Sequence, residues 1–293
     1  MILTALVGPE QAGMRLDDGI RALFPQLPKG EIRRIIDWGG CNVSQVLVRV
    51  ASRTLKEGEE IALGVMEPER RVELVYQREE LLHEDREYLA VNKKAGVNSQ
   101  RTPYQLKGTV EYAVEMYLRS VGSKEPARVI HRLDRGTSGV MFFPKNKQAA
   151  THVSLQLKYG RVEKVYWALV TDLPDEECWE VDAPIAKLNK FRYGVALPGK
   201  EAATLFTVLS QGTGAALVEA RPRTGRTHQI RVHLAHCGLP VVGDTTYGGA
   251  PAARMMLHCR LMKFQAGNGS AVEAVAPPDE EFRSICSSFG ISL

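Results

Sequence analysis

Three runs rich in β-branched and aromatic residues constrain this chain most. VYWALV at 165–170, ATLFTVLS at 203–210 and AALVEARP at 215–222 each read as a strand. Helical periodicity accompanies them: Val110, Val114, Tyr117 and Leu118 recur on one face of a helix expected at 109–119, and another helix is expected at 147–158, stopping before Gly160. Strands joined both by hairpin-like turns and by helices predict an α+β architecture with a mixed sheet. At 293 residues the chain is long enough for one large domain and one small one, and 44% hydrophobic with 25% charged residues excludes disorder as the default.

The small domain is expected at 13–65. Leu16, Ile20, Leu23 and Phe24 fall on one face of a first helix, which Pro25 and Pro28 end. A second helix at about 29–38 buries Ile32, Ile35 and Ile36, while Lys29, Arg33 and Arg34 project together ahead of the Gly39-Gly40 stop. Alternating Val43, Val46, Val48 and Val50 predict short strands, and LKEGEEIAL supplies a turn and a closing strand. The polar, charge-rich stretch at 66–80 reads as a linker, so relative domain motion is expected, and 81–293 forms the second domain.

The chemistry concentrates in two stretches. HRLDRGTSG at 131–139 sets one carboxylate, Asp134, among Arg132, Arg135 and His131. An aspartate with an ordinary pKa of about 3.9 is ionised at neutral pH, and flanking arginines hold it so, which favours a nucleophile over a general acid. By itself such a stretch also fits a surface turn with an ion pair. The second stretch, RPRTGRTHQIRVHLAHCG at 221–238, carries Arg221, Arg223, Arg226 and Arg231 and no acid, so it needs a polyanion or a buried carboxylate as counterpart. Thr227 is expected to cap a helix bearing Arg231, with Ile230, Leu234 and Cys237 inward and Gly238 closing it; Thr224, Gly225 and Thr227 resemble a phosphate-contacting turn. Lys145, Lys147, Lys158, Arg161 and Lys164, set against the single acid Glu163, form a candidate phosphate-facing strip.

Several classes are excluded or disfavoured. Five scattered cysteines give neither a disulfide framework nor a CxxC site, and the spacing of His233, His236, Cys237, His258 and Cys259 matches no common zinc pattern, so no metal is expected. No apolar run approaches a membrane span and no leader-like segment opens the chain, so a cytoplasmic protein is expected; a monomer is expected as well. HRLDR lacks the downstream Asn of a kinase catalytic loop, and GTGAAL at 212–217 lacks the third glycine of a dinucleotide fingerprint.

Together, HRLDRGTSGV with the following PKNKQAA, RVEKVYWALV, and RPRTGRTHQIRVHLAHCGLPVVGDTTYGG, in that order, resemble the RluA-type family of large-subunit-rRNA and tRNA pseudouridine synthases. LLHEDREYLAVNKKAGV at 81–97 is similar to the strand-turn segment that opens that catalytic domain, with Lys94 and Pro144 departing from the family's pattern. The resemblance implies a mainly antiparallel central sheet with flanking helices and a central cleft. It also implies a reaction without cofactor, in which uracil leaves its ribose, turns and is rejoined through carbon-5. Asp134 matches the essential aspartate, Arg231 the base that pairs with it, and Tyr166 the tyrosine that stacks on the target base and assists proton removal; in an apolar run alone, Tyr166 reads as a core aromatic. Attack on the sugar, attack on the ring and removal of a sugar proton all remain open to Asp134.

The target uridine must be flipped out, and Arg132 is the group expected to fill its place, with Arg226 and His228 also at the RNA. RLDDGIRALFP, the basic second helix and LKEGEEI resemble the alpha-L RNA-binding module, with NVSQVLV replacing its usual Val-Asn-Gly turn. That likeness places Lys29, Arg33 and Arg34 on RNA and favours large-subunit rRNA over tRNA as substrate. The competing readings are a catalytically silent RNA-binding ribosome-assembly factor and, for the first 65 residues alone, a protein–protein module.

Overall fold

The computed structural model describes residues 1–65 and 73–293. Of the expected linker, 66–72 lies outside the described residues, and Arg78–Glu80 forms one 3-10 turn with a capping box between Gln77 and Glu80. Packing divides the chain into Met1–Val75 with Asn98–Val121, and Tyr76–Val97 with Gly122–Leu293.

The first unit contains β1 (Ile2–Leu6), α1 (Leu16–Leu23), α2 (Lys29–Asp37), β2 (Cys41–Val43), β3 (Val46–Leu47), β4 (Glu60–Gly64) and α3 (Val110–Ser120). Its four strands run β1-β4-β2-β3, every pair antiparallel. Leu16 and Ile20 of α1 meet Ile32, Ile35 and Ile36 of α2 over Val43, Ile61 and Leu63 of the sheet. The expected valine alternation breaks early. Ser44 and Gln45 take left-handed backbone (φ 48° and 66°) in a two-residue turn, so β3 is only two residues long, and Val48 and Val50 lie outside any strand. Helix α3 begins where Thr109 Oγ1 accepts the Tyr112 N–H at 3.2 Å.

The second unit contains β5 (Leu81–Glu84), β6 (Tyr88–Lys93), β7 (Ser138–Pro144), α4 (Lys147–Lys158), β8 (Glu163–Thr171), β9 (Cys178–Asp182), β10 (Ile185–Lys187) and β11 (Tyr193–Val195). It continues with β12 (Ala203–Gly212), β13 (Ala215–Pro222), α5 (Gln229–His236), β14 (Leu257–Gln265), β15 (Ala271–Val275) and α6 (Glu280–Ser288). Nine strands form one mixed, mainly antiparallel sheet, β5-β6-β7-β14-β8-β13-β12-β9, with β15 beside β14 and β10–β11 a separate hairpin. The pair β7–β14 is parallel. There Gly139 is obligatory: at φ 113°, any Cβ would lie 2.1 Å from the Cys259 carbonyl oxygen. Strand β7 reads SGVMFFP without alternation and is buried at every position.

Helix α5 starts differently from expectation. Thr227 does not cap it; the first position outside is His228, in left-handed backbone at φ 58°. Gln229 instead ties the preceding turn, its Oε1 accepting from Thr224 Oγ1 (2.6 Å) and the Arg226 N–H (2.9 Å). Ile230 and Leu234 are buried as expected, whereas Cys237 is exposed at the helix end. No helix of the described residues is long and apolar enough to cross a membrane.

His258 locks β14 to its neighbours: Nδ1 meets Ser138 Oγ at 2.8 Å, and Nε2 donates to the Ala276 carbonyl at 3.0 Å. Burial pushes its pKa from 6.5 down to about 4. Because the folded value lies below the unfolded one, the unfolded chain binds more protons between pH 6.5 and 4, and stability falls as pH falls through that window. His258→Gln, which keeps one acceptor and one donor, is expected to flatten this fall by up to about 1.4 kcal/mol per pH unit, read by urea unfolding at several pH values. An unchanged slope would show that His258 is not the titrating group.

Candidate active site

The loop bearing Asp134 is clamped between β6 and β7. His131 Nε2 accepts the Phe142 N–H at 3.0 Å, and burial, with the nearby Lys164 charge, pushes the His131 pKa down to about 4, leaving a neutral anchor. Lys93, fully buried at the end of β6, donates to the carbonyl oxygens of Lys94 (3.0 Å) and Arg135 (3.1 Å). Burial pulls its pKa down to about 7, with Asp134 pulling the other way. Arg135 Nε adds a bond to the Gly96 carbonyl at 2.9 Å.

Asp134 meets Arg231 across this loop. Arg231 Nη1 donates to Asp134 Oδ2 at 2.8 Å, while Nε and Nη2 grip Asp244 bidentately at 2.6 and 2.9 Å. The guanidinium also lies 4.9 Å from the centre of the Tyr247 ring. Burial works against the Arg231 charge, but the two carboxylates outweigh it and raise its pKa. His228 Nε2 stands 3.7 Å from Asp134 Oδ2. On its other side, His228 Nδ1 meets the Tyr247 hydroxyl at 2.9 Å, and that oxygen accepts the Tyr193 N–H at 3.1 Å. The Asp134 carboxylate facing Nε2 favours the tautomer with hydrogen on that nitrogen, which leaves Nδ1 to accept from the Tyr247 hydroxyl. Burial lowers the His228 pKa against the opposing pull of Asp134, which keeps this tautomer neutral. Both contacts to Asp134 use Oδ2; among the described residues, Oδ1 has no hydrogen-bond partner.

Asp134, His228 and Arg231 line one cleft of about 780 Å³, shared with Arg132, Tyr166, Lys164 and Arg226. Tyr166 sits on β8, paired with Ala220 of β13 and Cys259 of β14, so the sheet itself aims it into the cleft. It is half-buried; burial first, then the neighbouring Cys259 and Asp134 raise its pKa well above 10, so it keeps its proton. Arg132 is exposed and, among the described residues, has no ion-pair partner. Arg226, also exposed, donates Nε to the Glu201 carbonyl at 2.8 Å.

The expected phosphate-facing strip splits. Lys145 bonds Glu84 (3.0 Å) near the end of β7, and only Lys158 and Lys164 reach the cleft, because α4 separates the two ends of the strip. Lys29, Arg33 and Arg34 do share α2, yet each pairs with a carboxylate: Lys29 with Asp18, Arg33 with the buried Asp17 at 2.8 Å, Arg34 with Glu31 at 3.8 Å. Burial raises the Asp17 pKa, and the hydrogen bonds from Arg15 and Arg33 overcome it to leave a net lowering.

Asp244, Tyr247, Tyr193 and Lys93 escaped the sequence reading of roles. Asp244 and Tyr247 stand in the quoted GDTTYGG, but nothing local marks an aspartate that pairs thirteen residues back. Also unforeseen is the β10–β11 hairpin, where Lys187, Lys190, Arg192 and Lys200 meet no acid between 183 and 200, and Leu188 and Phe191 are exposed. His233 spends both ring nitrogens on Thr204 Oγ1 (3.0 Å) and the Ala183 carbonyl (3.1 Å). Among the described residues, no group of three or more His, Cys, Asp or Glu is arranged to hold a metal ion.

The family model described as RNA pseudouridylate synthase matches residues 87–236. An uncharacterized RNA pseudouridine synthase of Aquifex aeolicus is 35% identical over 245 residues, covering 80% of this chain and 77% of the relative. Ribosomal large subunit pseudouridine synthase D of Haemophilus ducreyi is 30% identical over 302 residues, covering 96% and 93%. Among solved structures, human RNA Pseudouridylate Synthase Domain Containing 1 superposes with a TM-score of 0.57 at 28% identity, covering 68% of this chain and 82% of that one. With Asp134, Arg231 and Tyr166 gathered in one cleft, the matched segment spanning them and relatives aligned along nearly the whole sequence, this chain belongs to the RNA pseudouridine synthases of the RluA family.

Proposed function

We propose that this enzyme isomerises uridine in structured large-subunit rRNA, with Asp134 as the reacting carboxylate, Arg231 as the residue that orients it and Tyr166 as the stacking face for the flipped-out base. The observation that carries the reading is the one-sided clamp on Asp134, which occupies Oδ2 and leaves Oδ1 for substrate. Attack at the anomeric carbon, attack on the ring and removal of a sugar proton each need such an oxygen. The protonated Tyr166 serves by stacking and hydrogen bonding. Arg132, exposed beside the cleft and with its charge unspent, suits the space the uridine vacates, and Arg226 and His228 suit the strand around it. The name of the Haemophilus ducreyi relative supports rRNA as the substrate. A cytoplasmic monomer fits this reading.

Mapping pseudouridines in rRNA and tRNA from cells with and without this gene tests it. Loss at one or a few large-subunit positions is expected. Loss confined to tRNA would move the substrate, and no loss at all would favour the RNA-binding assembly factor.

Residues 13–65 are assigned to RNA capture through Lys29, Arg33 and Arg34. Replacing all three by Ala is expected to weaken RNA binding at low salt and to flatten its salt dependence by fewer than about three units of slope, because each base already shares its charge with Asp17, Asp18 or Glu31. Single-turnover rates at saturating enzyme should stay near those of the unmodified chain. An unchanged salt slope would favour the protein–protein reading of this segment.

A further inference from the structure

The cleft does not end at the reacting groups. Its wall continues along Pro222–Gly225 to Leu157, Lys158, Tyr159 and Gly160 at the C-terminal end of α4. Tyr159 there is 62% exposed, although it is an aromatic residue at a helix end that could have folded back on its own helix. Two cations flank its ring: Lys158 Nζ lies 5.6 Å and the Arg161 guanidinium 5.8 Å from the ring centre. Among the described residues neither cation forms an ion pair, in contrast to Arg221, held by Glu163 and Glu219, and Arg223, held by Glu180.

The ring's backbone is fixed. The Tyr159 N–H donates to Leu155 at 3.0 Å and the Arg161 N–H to Gln156 at 2.8 Å. Gly160 lies so close to the neighbouring loop that a Cβ would stand 2.9 Å from the Arg223 carbonyl oxygen. That loop is braced in turn by Lys164 Nζ on the Thr224 carbonyl (3.0 Å) and by the Gln229 side chain. An exposed, rigidly based aromatic ring between two unspent cations, opening onto a cleft that takes RNA, has the chemistry of a base-stacking platform with phosphate contacts on either side.

We propose that Tyr159, with Lys158 and Arg161, is a subsite for one unpaired nucleotide of the RNA strand that carries the target uridine, the base stacking on the ring and the adjoining phosphates meeting the two cations. The subsite rests on the RNA-modifying reading for the identity of that strand. It adds a determinant of which sequence context is accepted, since a uridine can enter only where a neighbouring nucleotide is also free to unstack.

The test uses the full chain and an RNA hairpin with a uridine-rich loop, carrying 2-aminopurine at loop positions in turn; this base loses fluorescence when stacked. The unmodified chain should quench at one flanking position. Tyr159→Ala should abolish that quench and weaken binding at least about fivefold with its salt slope unchanged, while Tyr159→Phe, which keeps the ring, should retain both. Lys158→Ala/Arg161→Ala should instead lower the salt slope by up to about two units and keep the quench. A Tyr159→Ala protein that binds and quenches like the unmodified chain overturns the subsite, as does a quench lost equally in Tyr159→Phe. Pseudouridine mapping separates the two claims: quenching without any isomerisation in cells overturns the rRNA reading alone, and isomerisation with an unaltered Tyr159→Ala overturns the subsite alone.

Discussion

Asp134→Asn is expected to lower pseudouridine formation by at least about a thousandfold, with folding and RNA binding retained. The amide keeps an oxygen that can accept from Arg231 Nη1, now at 2.8 Å from the carboxylate, so the side chain stays in place. It no longer offers a nucleophilic or basic oxygen. Stability should change little, because Arg231 keeps its bidentate partner Asp244 and no buried charge is left alone. Single-turnover conversion of the RNA identified by mapping, with thermal unfolding of both proteins, checks the result. Substantial turnover by the variant would remove Asp134 from the chemistry; loss of fold would make it a structural residue.

Arg231→Ala is expected to cost about 3–5 kcal/mol in stability as well as most of the activity, since it strips the partner from a buried carboxylate. The Asp244 side chain is only 2% exposed, and among the described residues its oxygens would then keep a single hydrogen bond between them, from the Thr246 N–H at 3.1 Å. Asp134, 27% exposed, is less penalised in folding but loses the contact that aims it. Arg231→Lys separates the two effects. A lysine supplies the charge but cannot hold Asp244 with two nitrogens while giving a third to Asp134, so it should recover much of the stability and little of the rate. Urea unfolding and single-turnover kinetics on both variants decide it. A near-normal rate and stability in Arg231→Ala would make Arg231 dispensable.

By itself the sequence determined the elements whose causes are local. The helix at Lys147–Lys158 begins with Asn146 accepting the Ala149 N–H and stops before Gly160, and α1 and α2 bury the isoleucines that their period-3.6 spacing places together. Asp134 stood out for the same reason, as a carboxylate whose neighbours are written beside it, and its pairing with Arg231 was implied by the resemblance. Tertiary structure alone decided the rest. The chain brings Arg231 to Asp134 across 97 residues, and which oxygen it takes depends on Asp244 holding the other edge of the guanidinium. His228 is held between Tyr247 and Asp134, and Lys93 owes its buried place to two carbonyls of loops that meet only after the strands have paired. Gly139 is required because β7 runs parallel to β14 there and leaves no room for a Cβ. Periodicity and capping act over a few residues and are written in the chain; strand order, and the hydrogen bonds it brings within reach, arise only when distant segments bury one another.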